Sequence, residues 1–239
     1  MSVLFISDIH LSTERPDVLR AFLDFLSERA VKANSLYILG DLFEAWVGDD
    51  DPSELARQVK RSLRDLSNND VNVFIQHGNR DFTIGKRFID DIKGTLISDE
   101  HTVTFENQST LVMHGDSLCT DDIVYQRFRR KSRNRLYRWC LTNLPLAVRE
   151  RIAHKWRSKS ALANSNKASE IMDVNIDAVG AVMTKHNATT LIHGHTHRPK
   201  VHSLDGYKRI VLGDWETSGS YVVLNKDGFE LKTFSIGAN

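Results

Sequence analysis

The chain has 239 residues but only two cysteines, Cys119 and Cys140, with no second cysteine or histidine at metal-finger or redox spacing beside either. That excludes a zinc-thiolate finger, a dithiol redox motif and a disulfide scaffold, and the two thiols are expected to be reduced in a reducing compartment. No run of about 18 apolar residues is present, so no bilayer span is expected. Met1-Ser2-Val3-Leu4-Phe5-Ile6 leads straight into Asp8 without a basic segment, so no secretory leader is expected and the cytoplasm is the expected compartment. Internal repeats and low-complexity segments are also missing. What is there, 41% apolar and 26% charged residues, suits an ordered domain with a real core, and the length leaves room for an inserted subdomain.

Patterning points to alternating strands and helices. Val3–Ser7, Leu36–Leu39 and Val71–Gln76 are short apolar runs that read as buried strands. Between them, Val18, Leu19, Phe22, Phe25 and Leu26 share one face of a helix predicted over Pro16–Lys32, and a second helix is predicted from near Pro52 to Leu66. Thr102–Phe105 and Thr110–Met113 read as a hairpin. Thr189–Ile192 reads as a further strand, and residues 200–236 as hairpins turning at Asp205-Gly206 and Asp227-Gly228. The expectation is an α/β protein with two facing mixed sheets flanked by helices.

A net charge of +1 hides an uneven distribution. Arg127 to Lys167 holds 13 Lys or Arg and one acid, Glu150, which leaves 19 bases against 30 acids elsewhere. This stretch has no strand signal. It is read as a helical, basic insert at 120–170 on an acidic body formed by 1–119 and 171–239.

Chemistry-bearing residues sit where strands are predicted to end. Asp8 and His10 follow the first strand, Asp41 the second, Asn79 the third, His114 the hairpin, and His195 and His197 the late strand. Ligand sites of layered α/β folds gather beyond the carboxyl ends of strands, so these distant residues can converge. Taken singly, each has a bland reading, as a turn residue or a structural histidine. Together they form an oxygen- and imidazole-rich set suited to hard divalent ions that clamp a phosphoryl transfer.

The ordered set Asp8-x-His10, Gly40-Asp41, Gly78-Asn79-x-Asp81, His114-Gly115 and Gly194-His195-x-His197 resembles the calcineurin-like metallophosphoesterase family over nearly the whole chain. That resemblance implies a four-layer α/β/β/α sandwich and two metal ions. One ion would be held by Asp8, His10, Asp41 and His197, the other by Asp41, Asn79, His114 and His195, with Asp41 bridging and Asp81 orienting the site from behind. It implies catalytic roles for Asp41, Asn79, His114 and His195. One position departs from the family's usual Gly-Asn-His-Asp block: Arg80 replaces a histidine able to protonate a leaving alkoxide. Arginine is a poor proton donor. A phosphate leaving group, with a second pKa of about 6, departs without that proton. Arg80 therefore favours cleavage of an anionic diphosphate, which it can grip through paired hydrogen bonds.

Within the family, Gly40-Asp41-Leu42-Phe43-Glu44-Ala45-Trp46, the Arg80 block, His114 to Asp122 and the basic insert are similar to one branch. Its members cleave the diphosphate of a UDP-linked diacylglucosamine lipid in lipid A biosynthesis. That similarity implies two Mn²⁺ ions per chain and peripheral attachment to the cytoplasmic face of the inner membrane. It implies substrate contacts from Asn79, Arg80, Asp122, Ser160, Asn164, Lys167 and His195. Ser160, Asn164 and Lys167 fall on one helical stripe, which on its own could equally be a solvated face. Leu136, Tyr137, Trp139, Cys140, Leu141, Leu144, Leu146, Val148, Ile152 and Trp156 supply apolar surface, expected mostly to pack on the body and in part to line an acyl-chain groove. The insert's charge suits an anionic membrane or a nucleic-acid backbone, or is a plain solvated hairpin. The acidic body speaks against a long polyanion, so nucleic acid is not an expected partner. No obligate protein partner is inferred, and a scaffold without enzymatic activity would have no need of the seven ligands.

Overall fold

The computed structural model describes the backbone of residues 2–105, 108–165, 173–204 and 206–237, and the side chains of all of these except 108, 159–165 and 204. The first half is three strand–helix units. Strands β1 (Val3–Ile6), β2 (Ser35–Ile38), β3 (Asn72–Ile75) and β4 (Thr95–Leu96) run parallel, connected by α1 (Pro16–Glu28), α2 (Glu54–Asn68) and α3 (Lys86–Ile92). Pro16 opens α1, where the missing N–H costs nothing. Ser53 caps α2 by accepting from the Ala56 N–H at 3.1 Å. The first helix ends at Glu28, four residues before the predicted end, and Ala30–Lys32 tightens into a 3₁₀ turn that buries Ala30. α3 and β4 carry no strong sequence signal and were not expected.

The second sheet contains β5 (His101–Phe105), β6 (Gln108–Met113), β7 (Thr190–His193), β8 (Lys200–Leu204) and β9 (Tyr207–Val211) in the order β5-β6-β7-β9-β8. The last hairpin, β10 (Ser218–Asn225) and β11 (Gly228–Ser235), returns to the first sheet and pairs antiparallel with β1, giving the order β11-β10-β1-β2-β3-β4.

Period-two alternation places the strands' side chains in two apolar layers. Leu4, Ile6, Leu36, Ile38, Val73 and Ile75 face α1, α2 and α3 on one side of the first sheet. Val3, Phe5, Tyr37 and Leu39 face Val103, Val112, Ile192 and Ile210 of the second sheet. The outer face of that sheet, Leu111, Met113 and Leu191, is covered by Val179, Val182 and Met183 of the last helix, Ile176–His186. Four layers result, helix on sheet on sheet on helix. Phe22 and Phe25 are wholly buried in the first interface, where each contributes about 2–3 kcal/mol.

Between β6 and that last helix lie α4 (Ile123–Ser132), α5 (Arg135–Thr142) and α6 (Leu146–Ser165), which makes the Ile176–His186 helix α7. Their attachment differs from expectation. Of the ten apolar insert residues named above only Leu141 is buried, while Leu136 and Trp139 are 68% and 63% exposed. Docking runs largely through one buried and several partly buried arginines. Arg149, 3% exposed, donates to Val47 O and to both oxygens of Asp50. Arg129 and Arg133 meet the buried carboxylate of Asp116, and Arg138 donates to Phe82 O. Short amphipathic helices lying across polar loops find backbone carbonyls and carboxylates there rather than an apolar floor.

Candidate metal centre

All seven expected ligands lie at the carboxyl ends of β1, β2, β3, β6 and β7, and the loops that carry them are hydrogen-bonded to one another. Asp8 N donates to Gly40 O at 3.2 Å, His10 N to Asp41 O at 3.0 Å, and Gly194 N to His114 O at 3.0 Å. Two glycines make the crowding possible. A Cβ on Gly40, whose φ is +88°, would lie 2.6 Å from the Gly78 Cα, and one on Gly78 would lie 2.0 Å from Asp41 Oδ1. Asp8, His10, Asp41, His195 and His197 all have left-handed backbones, with φ from 53° to 67°. Each costs on the order of 1 kcal/mol or more, a concentration of strain that marks functional sites.

The histidines form two edge-to-face pairs, His10 with His197 at 5.3 Å and His114 with His195 at 5.1 Å between ring centres. Asp41 Oδ2 lies between the pairs, 3.8 Å from the Nε2 of both His10 and His114. Asp8 Oδ1 sits 3.3 Å from His197 Nε2, and Asn79 Oδ1 sits 3.0 Å from His114 Nε2 and 2.9 Å from His195 Nδ1. Two groups with converging ligand atoms follow, Asp8 with His10 and His197, and Asp8 with Asp41 and His114. Buried Asp8 Oδ1 and His10 Nε2 make no hydrogen bond, as atoms reserved for a cation do. The donors are all oxygen or imidazole nitrogen, so the residues fit hard divalent ions.

Protons stand in for that charge. Burial opposes ionisation of Asp8, yet His197 outweighs it and holds the carboxyl well below its usual range. Burial likewise opposes protonation of His197, but Asp214 and Asp8 raise its pKa to about 10. Burial, reinforced by neighbouring His114, pushes His195 down to about 4. Cations binding here displace protons.

The supporting residues are well defined. Asp81 is fully buried and accepts from Gly78 N at 2.7 Å and Leu42 N at 2.8 Å, tying the second and third loops together. Leu39 O lies 2.9 Å from His114 Nδ1, which leaves the Nε2 lone pair facing the centre. Two carboxylates were not foreseen. Asp214 is 2.9 Å from His197 Nδ1, and Glu44 is 3.0 Å from His10 Nδ1, the arrangement that orients ligating histidines. Asp214 had a signal: Ile210-Val211-Leu212-Gly213-Asp214 repeats the pattern of Ile38-Leu39-Gly40-Asp41. Glu44 had none beyond its place in the Asp41 block.

The Arg80 guanidinium faces the site's rim, 3.6 Å from Glu44, while its backbone N donates to Asp41 Oδ1 at 2.8 Å. From the insert, Arg157 reaches the same Glu44 at 3.1 Å. Beside Asn79 and Arg80 opens a pocket walled by Trp46, Phe82, Tyr125, Phe128 and Trp156. Asp122 caps α4, accepting from the Tyr125 N–H at 3.0 Å. Ser160 and Asn164 fall in the backbone of α6 with their side chains outside the described set, and Lys167 lies outside the described residues.

The calcineurin-like phosphoesterase profile matches residues 1–199. The chain is 48% identical to a protein of Azotobacter vinelandii named UDP-2,3-diacylglucosamine hydrolase, over 99% of this chain and 100% of that one. A Pseudomonas aeruginosa protein of the same name is also 48% identical, with the same coverage. A Pseudomonas fluorescens protein of that name is 47% identical over 97% of this chain and 94% of its own. Among solved structures, an archaeal phosphodiesterase superposes with a TM-score of 0.51 at 14% identity, covering 98% of this chain and 99% of its own, a likeness of fold alone.

Proposed function

The chain belongs to the calcineurin-like phosphoesterase family and is a hydrolase, and from that premise we propose that it cleaves the diphosphate of UDP-2,3-diacylglucosamine to UMP and 2,3-diacylglucosamine 1-phosphate. The observation that carries this reading is the adjacency of an aromatic pocket to Asn79 and Arg80. An apolar wall beside the diphosphate site suits a substrate with apolar bulk there, and acyl chains gain about 0.8 kcal/mol for each methylene they bury.

We assign Asp8, His10, Asp41 and His197 to one Mn²⁺ ion and Asp41, Asn79, His114 and His195 to a second. When bound, such ions neutralise phosphoryl charge and make water a stronger nucleophile at neutral pH. The chain's own residues do the rest. Arg80 exchanges its contact with Glu44 for the diphosphate oxygens. Asn79 lines the pocket and its Oδ1 lies 2.9 Å from His195 Nδ1, and the Leu39 and Asp214 contacts keep His114 and His197 turned inward. Asp122, Ser160, Asn164 and Lys167 are assigned to the polar head of the substrate within the 120–170 insert.

Among the described residues no helix is long and apolar enough to cross a membrane. Peripheral contact with the inner membrane is supported by exposed Ile123, Val124, Leu136 and Trp139 on the same helices as exposed Arg127, Arg130, Lys131 and Arg135. The test is turnover with Mn²⁺ of UDP-2,3-diacylglucosamine against UDP-N-acetylglucosamine, followed by ³¹P NMR. The diacylated substrate should be strongly preferred at low concentration. Equal rates would remove the acyl pocket from the reading, and activity on nucleic acid alone would replace it.

A further inference from the structure

Among the described residues, Asp116 is the one fully buried carboxylate near the centre that neither the candidate ligands nor their supporting carboxylates use. It lies two residues beyond His114, and 1% of its surface is exposed. An isolated charge there is prohibitive, so its partners define its purpose. Arg129 Nε lies 2.9 Å from Asp116 Oδ2, Arg133 Nη2 donates to the same oxygen at 3.5 Å, and the Tyr125 hydroxyl donates to it at 2.7 Å. Gln126 donates to the Asp116 carbonyl at 2.8 Å. Tyr125, Gln126 and Arg129 are on α4, and Arg133 is the residue that caps its C-terminus.

These contacts have a direction. Tyr125 bonds Asp116 through its hydroxyl while its ring lies 5.7 Å from the His195 ring, and it lines the same pocket as Asn79. The hydroxyl donates to Asp116 Oδ2 at 2.7 Å, so its proton is committed to the carboxylate and not to substrate. Two residues of chain thus connect His114 to an anchor that sets the first two turns of α4. Simple docking of the helix would need only the two arginines; the tyrosine hydroxyl adds a bond that fixes one aromatic ring against His195.

We propose that Asp116 is the positioning residue of the substrate pocket: through Tyr125 it sets the pocket wall beside His195, and it registers the insert to the metal strand. The proposal rests on the hydrolase reading above for its kinetic arm only.

The experiment compares Asp116→Asn, Tyr125→Phe and the double variant. Amide exchange of the Mn²⁺-loaded protein should quicken across residues 123–132 in Asp116→Asn and stay unchanged across 190–197. With UDP-2,3-diacylglucosamine, Asp116→Asn should raise KM about tenfold or more while kcat stays within about threefold, the mark of lost binding rather than lost chemistry. Tyr125→Phe, which deletes one oxygen and leaves Asp116 facing Arg129 and Arg133, should raise KM in the same direction, and the double variant should be no worse than Asp116→Asn alone. A fall in kcat at constant KM, multiplying effects in the double variant, or parental KM in Tyr125→Phe would overturn the proposal. Should the parent leave the lipid untouched, the function proposed above fails while the exchange measurement still decides whether Asp116 holds α4.

Discussion

Replacing Arg80 with alanine isolates the guanidinium from everything else at the site. Its backbone N–H, which tethers the third loop to Asp41 Oδ1, survives the change, and among the described residues its side chain loses an ion contact with Glu44 at 3.6 Å. That half-exposed ion contact is worth about 0–1 kcal/mol. Two charge-assisted hydrogen bonds to a diphosphate are worth about 1.5–3 kcal/mol each. The difference leaves about 3 kcal/mol of transition-state stabilisation, or a loss of roughly a hundredfold or more in kcat/KM. Metal content by elemental analysis should equal the parent's, because no ligand or ligand-supporting hydrogen bond is touched. Arg80→Lys should recover part of the rate, since lysine carries the charge without the fork. Loss of less than about threefold in Arg80→Ala would refute the grip on the diphosphate. An Arg80→His variant faster than the parent would refute the argument that the leaving group needs no proton.

Asp41→Ala should abolish turnover even with excess Mn²⁺, since Asp41 Oδ2 stands between both histidine pairs; substantial activity would sink the two-ion assignment. Asp214→Asn should weaken metal binding by about 10–100-fold, read by titration with Mn²⁺, because it frees His197 to turn. Charge reversal at Arg129 and Arg133, 16% and 13% exposed against Asp116, should lower the melting temperature. The same change at exposed Arg130 and Arg135 should leave it near parental and reduce binding to anionic vesicles instead. Thiol titration at pH 8 should find one fast group, exposed Cys140; Cys119 is buried, with its pKa pushed up to about 12, and should react only on unfolding.

The core layers and the placing of the candidate ligands at strand ends were legible because both are local. A strand buried on both faces is a short apolar run, and a residue at its carboxyl end follows that run in sequence, so Asp8, Asp41, Asn79, His114 and His195 could be placed without coordinates. Gly40 and Gly78 marked turns in the sequence, but only the fold reveals that they are small because their two loops touch. The elements missed, α3 and β4, are short and lack strong signals. What the tertiary structure alone decided is pairing across distance. A carboxylate such as Glu44 or Asp116 looks the same in sequence whether it faces water, a histidine or an arginine. The 13 bases of the insert counted equally as charge, yet Arg129, Arg133 and Arg149 are largely withdrawn from solvent to dock helices that leave Leu136 and Trp139 exposed. Charge counts along a chain fix how much electrostatic energy is available; the distances that decide whether it is directed inward or outward exist only after folding.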